Sequence, residues 1–297
     1  MNHAYRVTRT LVLALAFVLA GCSALRTNFV KKPSQALPPA HDTPSARYVQ
    51  AELNGHKGMS GFRLLTSSAN ALLSRVALAD NAAHSIDLQY YIFENDATGR
   101  LLAQHILAAA DRGVRVRMLL DDISLSNEDR LLDALDAHPN IQIRLFNPFH
   151  TRSPSLPSKI AQFAIDGPRL NRRMHNKSFI VDNTVAVIGG RNIGDAYFDA
   201  ANDNNFRDLD LITIGPVVGE ASHTFDEYWN SDVAYPVTAF RDTHASPADL
   251  QRLRVVLKQH AREFAQSDYA QAASEELPSG ASGDRFGSWF LGPAELV

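Results

Sequence analysis

Between residues 68 and 146 the chain alternates between two hydrophobic periods, and this alternation restricts it to a small set of architectures. Leu72, Leu73, Val76 and Ala77 recur at helical spacing, and Ile86, Leu88, Tyr90 and Ile92 then fall on one face of a strand over 85–93. Leu101, Leu102, Ile106 and Ala109 give a second helix closed by Gly113, and 114–120 gives a second strand ending in Asp121 and Asp122. Ser126-Asn127-Glu128-Asp129 opens a third helix with capping-box-like spacing, and 141–146 is a third strand. Strands separated by helices in this way need crossovers, so at least part of the sheet is parallel. The expected class is α/β, a sandwich with a mixed β-sheet flanked by helices.

Residues 147–171 carry Pro148, Pro154, Pro157 and Pro168 and read as loop with at most one short helix. Two short strands follow, 174–181 and 184–188, separated only by Asp182-Asn183, which is a hairpin signal. A strand over 206–214, a helix from Pro216 through Trp229 and a helix opened by Ser246-Pro247-Ala248-Asp249 complete the pattern. The main domain is expected over 46–245, with 246–297 as a helix and linker.

Residues 1–21 have a targeting layout: Arg6 and Arg9, then an unbroken apolar run over 11–19, then Ala20, Gly21 and Cys22. That run is too short to span a bilayer and has the length of a signal-peptide core. Leu19-Ala20-Gly21-Cys22 resembles the lipobox of bacterial lipoproteins, which implies a lipid on Cys22 and a membrane-anchored protein on the periplasmic side. Cys22 is the only cysteine, so no intrachain disulfide is available. Residues 22–45, with Pro33, Pro38, Pro39 and Pro44, read as an extended tether. The formal charge is −3, and removing Arg6 and Arg9, the only charged residues of 1–21, takes it to −5. That balance disfavours indiscriminate binding to nucleic acid, and no specific nucleic-acid partner is expected.

The chemistry-bearing residues cluster near the expected hairpin. His175 and Lys177 are two apart, so in a strand they share a face, whereas Asp182 has the opposite parity and lies at the turn. If Asp182-Asn183 is a two-residue loop, Val181 pairs with Thr184 and Gly190 falls opposite His175, leaving room for a substrate phosphate. Asn192 lies just beyond, with an amide able to donate to the same ligand. Asp121 and Asp122 point to opposite sides of a strand end and read as a terminus near the site rather than as metal ligands. Over 151–177, Arg152, Lys159, Arg169, Arg172, Arg173 and Lys177 oppose only Asp166, a basic stretch suited to an anionic headgroup. His84, His105, His138 and His223 have no companion lysine, and His260 reads as a surface residue.

The order His175-x-Lys177-x4-Asp182-x6-Gly189-Gly190-x-Asn192 resembles the signature of the phospholipase D superfamily. Gly190 departs from it, since many members carry serine there. The text around it, including Asp87-Leu88-Gln89-Tyr90-Tyr91-Ile92-Phe93 and Arg112-Gly113-Val114-Arg115-Val116, resembles the N-terminal half of the C-type cardiolipin synthase branch. The resemblance implies catalytic His175, Lys177 and Asp182, with Asp182, which faces away, fixing the geometry of its own half rather than touching phosphate; it also implies phosphate binding by Lys177, Asn192 and Gly190, and transfer through a phosphohistidine without cofactor or metal. Membrane phospholipids are the implied partners. Superfamily sites use two such motifs, so one motif implies a half-site completed by a homodimer or a separate second half, with 246–297 leading toward the missing half. The competing expectations are a homodimeric nuclease-like phosphodiesterase and a non-catalytic phosphate- or lipid-binding module.

Overall fold

The computed structural model describes residues 31–123, 129–149, 160, 164, 166–240, 245–276 and 289–296. The targeting segment, Cys22, Ser126 to Glu128, Arg152 and Lys159 lie outside these residues. After an extended segment over 31–42 come α1 (Pro44–Glu52), β1 (Ser60–Leu65), α2 (Ser68–Asn81) and β2 (Ser85–Tyr90). Then follow α3 (Ala97–Asp111), β3 (Arg115–Asp121), α4 (Asp129–Asp136) and β4 (Ile141–Phe146). The hairpin is β5 (Ser178–Val181) and β6 (Val185–Gly189), followed by β7 (Asp210–Ile214), α5 (Pro216–Asn230) and β8 (Ala234–Pro236). The described chain ends with α6 (Pro247–Ala265), α7 (Asp268–Glu276) and β9 (Phe290–Gly292).

These strands form a single mixed sheet in the order β8-β4-β3-β2-β5-β6-β7-β1-β9. β2, β3 and β4 are parallel, each reached through a helix, and the remaining pairs are antiparallel. β2 is buried at every position, as a central strand covered on both faces must be. One face packs against α2, α3, α4 and α6 through Leu72, Leu102, Ile106, Leu132 and Leu257. The other packs against α5, whose Phe225 and Trp229 are fully buried and each stabilise the fold by roughly 2–3 kcal/mol relative to exposure. The expected strands over 174–181 and 206–214 are real but shorter, starting at Ser178 and Asp210.

The parallel strands define two ends of the sheet. Tyr90, Asp121 and Phe146 lie at one rim with Ser178, Gly189 and Asp210, while Ser85, Val181 and Ile214 lie at the far rim. α5 begins at the far rim and returns to the first, where Ala234 pairs with Phe146.

Beneath α5 the sheet buries arginines, and this changes the reading of the Pro-rich segment. Arg117, 0% exposed, makes two 2.7 Å hydrogen bonds to Asp87 and a 2.8 Å ion pair with Asp226 of α5. Its remaining donor reaches the Ser34 carbonyl at 3.0 Å, and Arg144 and Arg115 donate to the carbonyls of Lys32 (2.6 Å) and Gln35 (2.8 Å). The segment is extended but docked rather than free, because main-chain carbonyls of 32 and 34 complete the solvation of the buried Arg144 and Arg117 guanidinium groups, and that of 35 takes a bond from half-buried Arg115. The C-terminal region is likewise part of the body. α6 buries Leu250 and Leu257, half-buried His260 bonds the Ala97 carbonyl at 2.8 Å instead of lying free on the surface, and β9 extends the sheet edge.

Arg117→Met would take from buried Asp87 its bidentate partner, leaving it only the longer 3.6 Å pair with Arg115, and from Asp226 its ion pair. We expect a loss of about 3–5 kcal/mol, read as a lower urea midpoint. A midpoint within error of the parent would show that this pairing does not support the fold.

Candidate active site

The hairpin turn forms as its residues dictate, with a register one residue away from the expected one. Asp182 and Asn183 both hold positive φ, 53° and 48°, and Thr184 N–H closes the turn on the Val181 carbonyl at 3.0 Å. Thr184 is nevertheless an extra residue, and the ladder pairs Val181 with Val185 and Ser178 with Ile188. Gly189 therefore approaches Lys177, its N–H 3.4 Å from the Lys177 carbonyl, and Gly190 does not lie opposite His175. Nor does either glycine open a gap for phosphate. A Cβ on Gly189 would sit 2.1 Å from an Asp210 carboxylate oxygen, and one on Gly190 2.4 Å from Asp208 Oδ1. The acidic side chains occupy that space.

Asp182 stands apart from His175 and Lys177. It lies at the far rim, roughly 17 Å along the strand from Lys177 at about 3.3 Å per residue. Its carboxylate, 1% exposed, accepts hydrogen bonds from the N–H groups of Ala83 (3.1 Å), His84 (2.7 Å) and Ser85 (2.9 Å). It fastens the hairpin to the start of β2 and touches no ligand at the other rim.

His175 and Lys177 do meet. Lys177 Nζ lies 3.0 Å from His175 Nδ1, 3.2 Å from Nε2 and 2.7 Å from the His175 carbonyl oxygen. His175 is exposed while Lys177 is 5% exposed, so the imidazole faces solvent with a buried ammonium at its side. Tyr91, just past β2, sets its ring centre 4.9 Å from that of the imidazole, tilted by 51°, and 5.5 Å from Nζ. Burial lowers the Lys177 pKa, and the Asp208 carboxylate opposes that shift. Asn192, 3% exposed, accepts the Ile92 N–H at Oδ1 (3.0 Å), which fixes the orientation of its amide.

The approach to His175 is clamped by Asp121. Its carboxylate accepts from Arg173 Nε at 2.9 Å and from the Met174 N–H at 2.9 Å, immediately before the histidine. Burial pushes the Asp121 carboxyl up, and the Arg173 bonds pull it back. Asp122 accepts the Phe149 N–H at 2.8 Å. Both aspartates thus end the strand near the site, as expected, and hold the incoming loop. Most of the described charge of the basic stretch is committed to the same task. Arg169 pairs with Asp166, Arg173 with Asp121, and only Arg172 is exposed without a carboxylate partner. His84, His105, His138 and His223 each lie beside a carboxylate, at 3.2, 2.6, 3.1 and 3.5 Å. Residue spacing alone could not reveal Tyr91 or Asp208 as neighbours of the site, because each arrives from a separate segment of the chain.

An exposed imidazole backed by a buried lysine thus stands just before the hairpin, at the rim of a mixed sheet. The family model described as "Cardiolipin synthase, PLD-like domain" matches residues 76–229, more than half of the chain, and the chain belongs to that family. It is 48% identical over 187 residues to cardiolipin synthase C of Escherichia coli (strain K12), covering 63% of this chain and 39% of that protein. It is 39% identical over 237 residues to an uncharacterized protein of Helicobacter pylori (strain ATCC 700392 / 26695), covering 79% of this chain and 46% of that one. The chain thus spans less than half the length of these relatives. Among solved structures, a phosphatidylserine synthase from Haemophilus influenzae Rd KW20 superposes with a TM-score of 0.45 at 13% identity, covering 75% of this chain and 48% of that one.

Two outcomes follow from this geometry. Asp182→Ala strands three backbone donors and should cost about 3 kcal/mol, whereas His175→Ala, at an exposed position, should stay within about 0.5 kcal/mol of the parent; urea unfolding of both variants measures the contrast. Lys177 should also release its proton below the ordinary lysine value of 10.5, as should half-buried Lys31. In a ¹³C-lysine NMR titration, Lys177→Arg should remove one of these early-titrating signals, and persistence of both would contradict the burial argument.

Proposed function

We propose that this chain supplies one half of a site for phosphatidyl transfer between phospholipid headgroups and an alcohol acceptor. The observation that carries the reading is the 3.0 Å approach of Lys177 Nζ to the exposed His175 ring. A neutral imidazole nitrogen attacks phosphorus, a nitrogen–phosphorus bond forms, and the phosphorus–oxygen bond to the departing headgroup breaks. The acceptor hydroxyl then attacks the phosphohistidine and releases the imidazole. Lys177 and the Asn192 amide hold the non-bridging oxygens, where negative charge must be stabilised in both displacements. Each step also needs a proton given to, or taken from, the bridging oxygen. His175 is then bound to phosphorus, so a second imidazole from another phospholipase-D-like half performs that transfer. Leu64, Leu209 and Leu211 are exposed beside the Asp210 rim and give that half an apolar surface to cover. A lipid on Cys22 would hold the chain at the periplasmic face of a bacterial membrane, within reach of its substrate.

The test is headgroup exchange on defined phospholipid vesicles with chelator present, across a range of protein concentrations and alongside sedimentation. Activity should fall faster than linearly on dilution as paired halves separate, and His175→Ala should abolish it. Retained turnover in the histidine variant would defeat the chemistry, and full turnover by a stable monomer would defeat the half-site.

A further inference from the structure

The docked segment 31–42 runs the whole length of α5 in the opposite direction. Lys31 Nζ donates to the Ser231 carbonyl at the α5 C-terminus, and Ser34 exchanges hydrogen bonds with Asn230 at 3.1 and 3.0 Å. Further along, Ala36 N–H bonds Asp226 at 2.7 Å, Leu37 accepts from Asn183 at 2.9 Å, and Ala40 N–H reaches the Asp182 carbonyl at 3.0 Å. Lys31 therefore stands at the rim that carries His175, and Ala40 at the far rim. The fold fixes the entry point of the chain on the same end of the molecule as the candidate site.

That placement sets a length. Nine residue steps separate Cys22 from Lys31, a reach of at most roughly 32 Å. A compact body of this size, with a radius of gyration of roughly 18 Å, is about 45 Å across. With 31–42 undocked, the free chain would run to Pro44 and could extend to roughly 77 Å, enough to let the body turn in any direction. Docked, the leash is shorter than the body is wide and leaves from the catalytic rim. Lys32 and Arg172 are exposed at that rim, as is His175 itself, a surface suited to anionic headgroups.

We propose that the docked strap is an orienting leash, which turns the His175 rim toward the bilayer that holds Cys22 and turns the far rim away. This rests on the reading that Cys22 carries lipid. Cys22 is the only thiol, so the chain from Cys22 onward, which contains every described residue, can be coupled through it to maleimide-bearing lipid in anionic vesicles whether or not cells acylate it. A genetically encoded fluorescent amino acid replaces either Arg172 at the catalytic rim or Lys57 at the far rim, and quenching by headgroup-labelled lipid is read. We expect quenching several-fold stronger at 172 than at 57. A long Gly-Ser spacer inserted before Lys31 should erase the difference, while the same spacer between His41 and Asp42, behind the docked strap, should preserve it. Equal quenching at the two positions, stronger quenching at 57, or two spacers acting alike would overturn the leash. Fatty-acid labelling in cells tests the anchor separately. Incorporation lost in Cys22→Ser supports it, and undiminished incorporation overturns the anchor while the vesicle comparison still judges the orientation.

Discussion

A guanidinium buried between a sheet and a helix has to be answered on every side, and Arg117 sets that condition for half of this molecule. Its charge is met by Asp87 on the neighbouring strand and Asp226 on α5, and its faces by the rings of Phe225 and Trp229 at 4.8 and 5.5 Å. The last donor is met only by Ser34. Arg144 shares the problem. Burial, with repulsion from Arg117, lowers its pKa to about 10, and its donors are taken by the carbonyls of Trp229 and Lys32. Sheet, helix and N-terminal segment are therefore solutions to one desolvation cost, and none of the three is complete without the others.

The site follows from a different balance. On the proposed reading, a nucleophilic side chain must be exposed to reach a lipid headgroup, yet held well enough to attack along one line. Here the holding is done beside the imidazole rather than on it. Asp121 grips Arg173 and Met174 just before it, Lys177 lies along it from within the body, and the tilted Tyr91 ring packs beside it. The Asp208 carboxylate near Lys177 and Gly190 counters the loss of solvation that burial imposes on the ammonium.

Much of this was legible before the coordinates, because it rests on local periodicity. The helices α2, α3, α5 and α6 and the strands β2, β3 and β4 carry their signals within themselves, and His175 and Lys177 share a space as their two-residue spacing requires. The misses arise where distant residues decide. β1 was not readable, since Gly61 is demanded by Ile214, 2.7 Å from where a Cβ would lie, and buried Arg63 sits under the Trp289 ring. The hairpin residues announced the turn but not the extra Thr184, and that one-residue slip moved Gly190 out of the expected phosphate position. The Pro-rich segment looked free because its partners, Arg115, Arg117, Arg144 and α5, lie at least 80 residues away in the chain.

The separation of Asp182 from His175 gives the motif a meaning beyond its list of residue types. At one end the chain is gripped by Asp121, and at the other Asp182 grips the first residues of β2. The residues between are the width of the sheet itself, so the four-residue interval after the lysine works as a ruler laid across β2 from rim to rim. Shortening it by one residue would reverse the facing of every side chain between the two grips, exchanging buried Phe179 for its neighbours and turning either the lysine or the aspartate away from its partner. On this view the aspartate serves chemistry by measurement: it keeps the strand at the one length for which the histidine arrives at the edge.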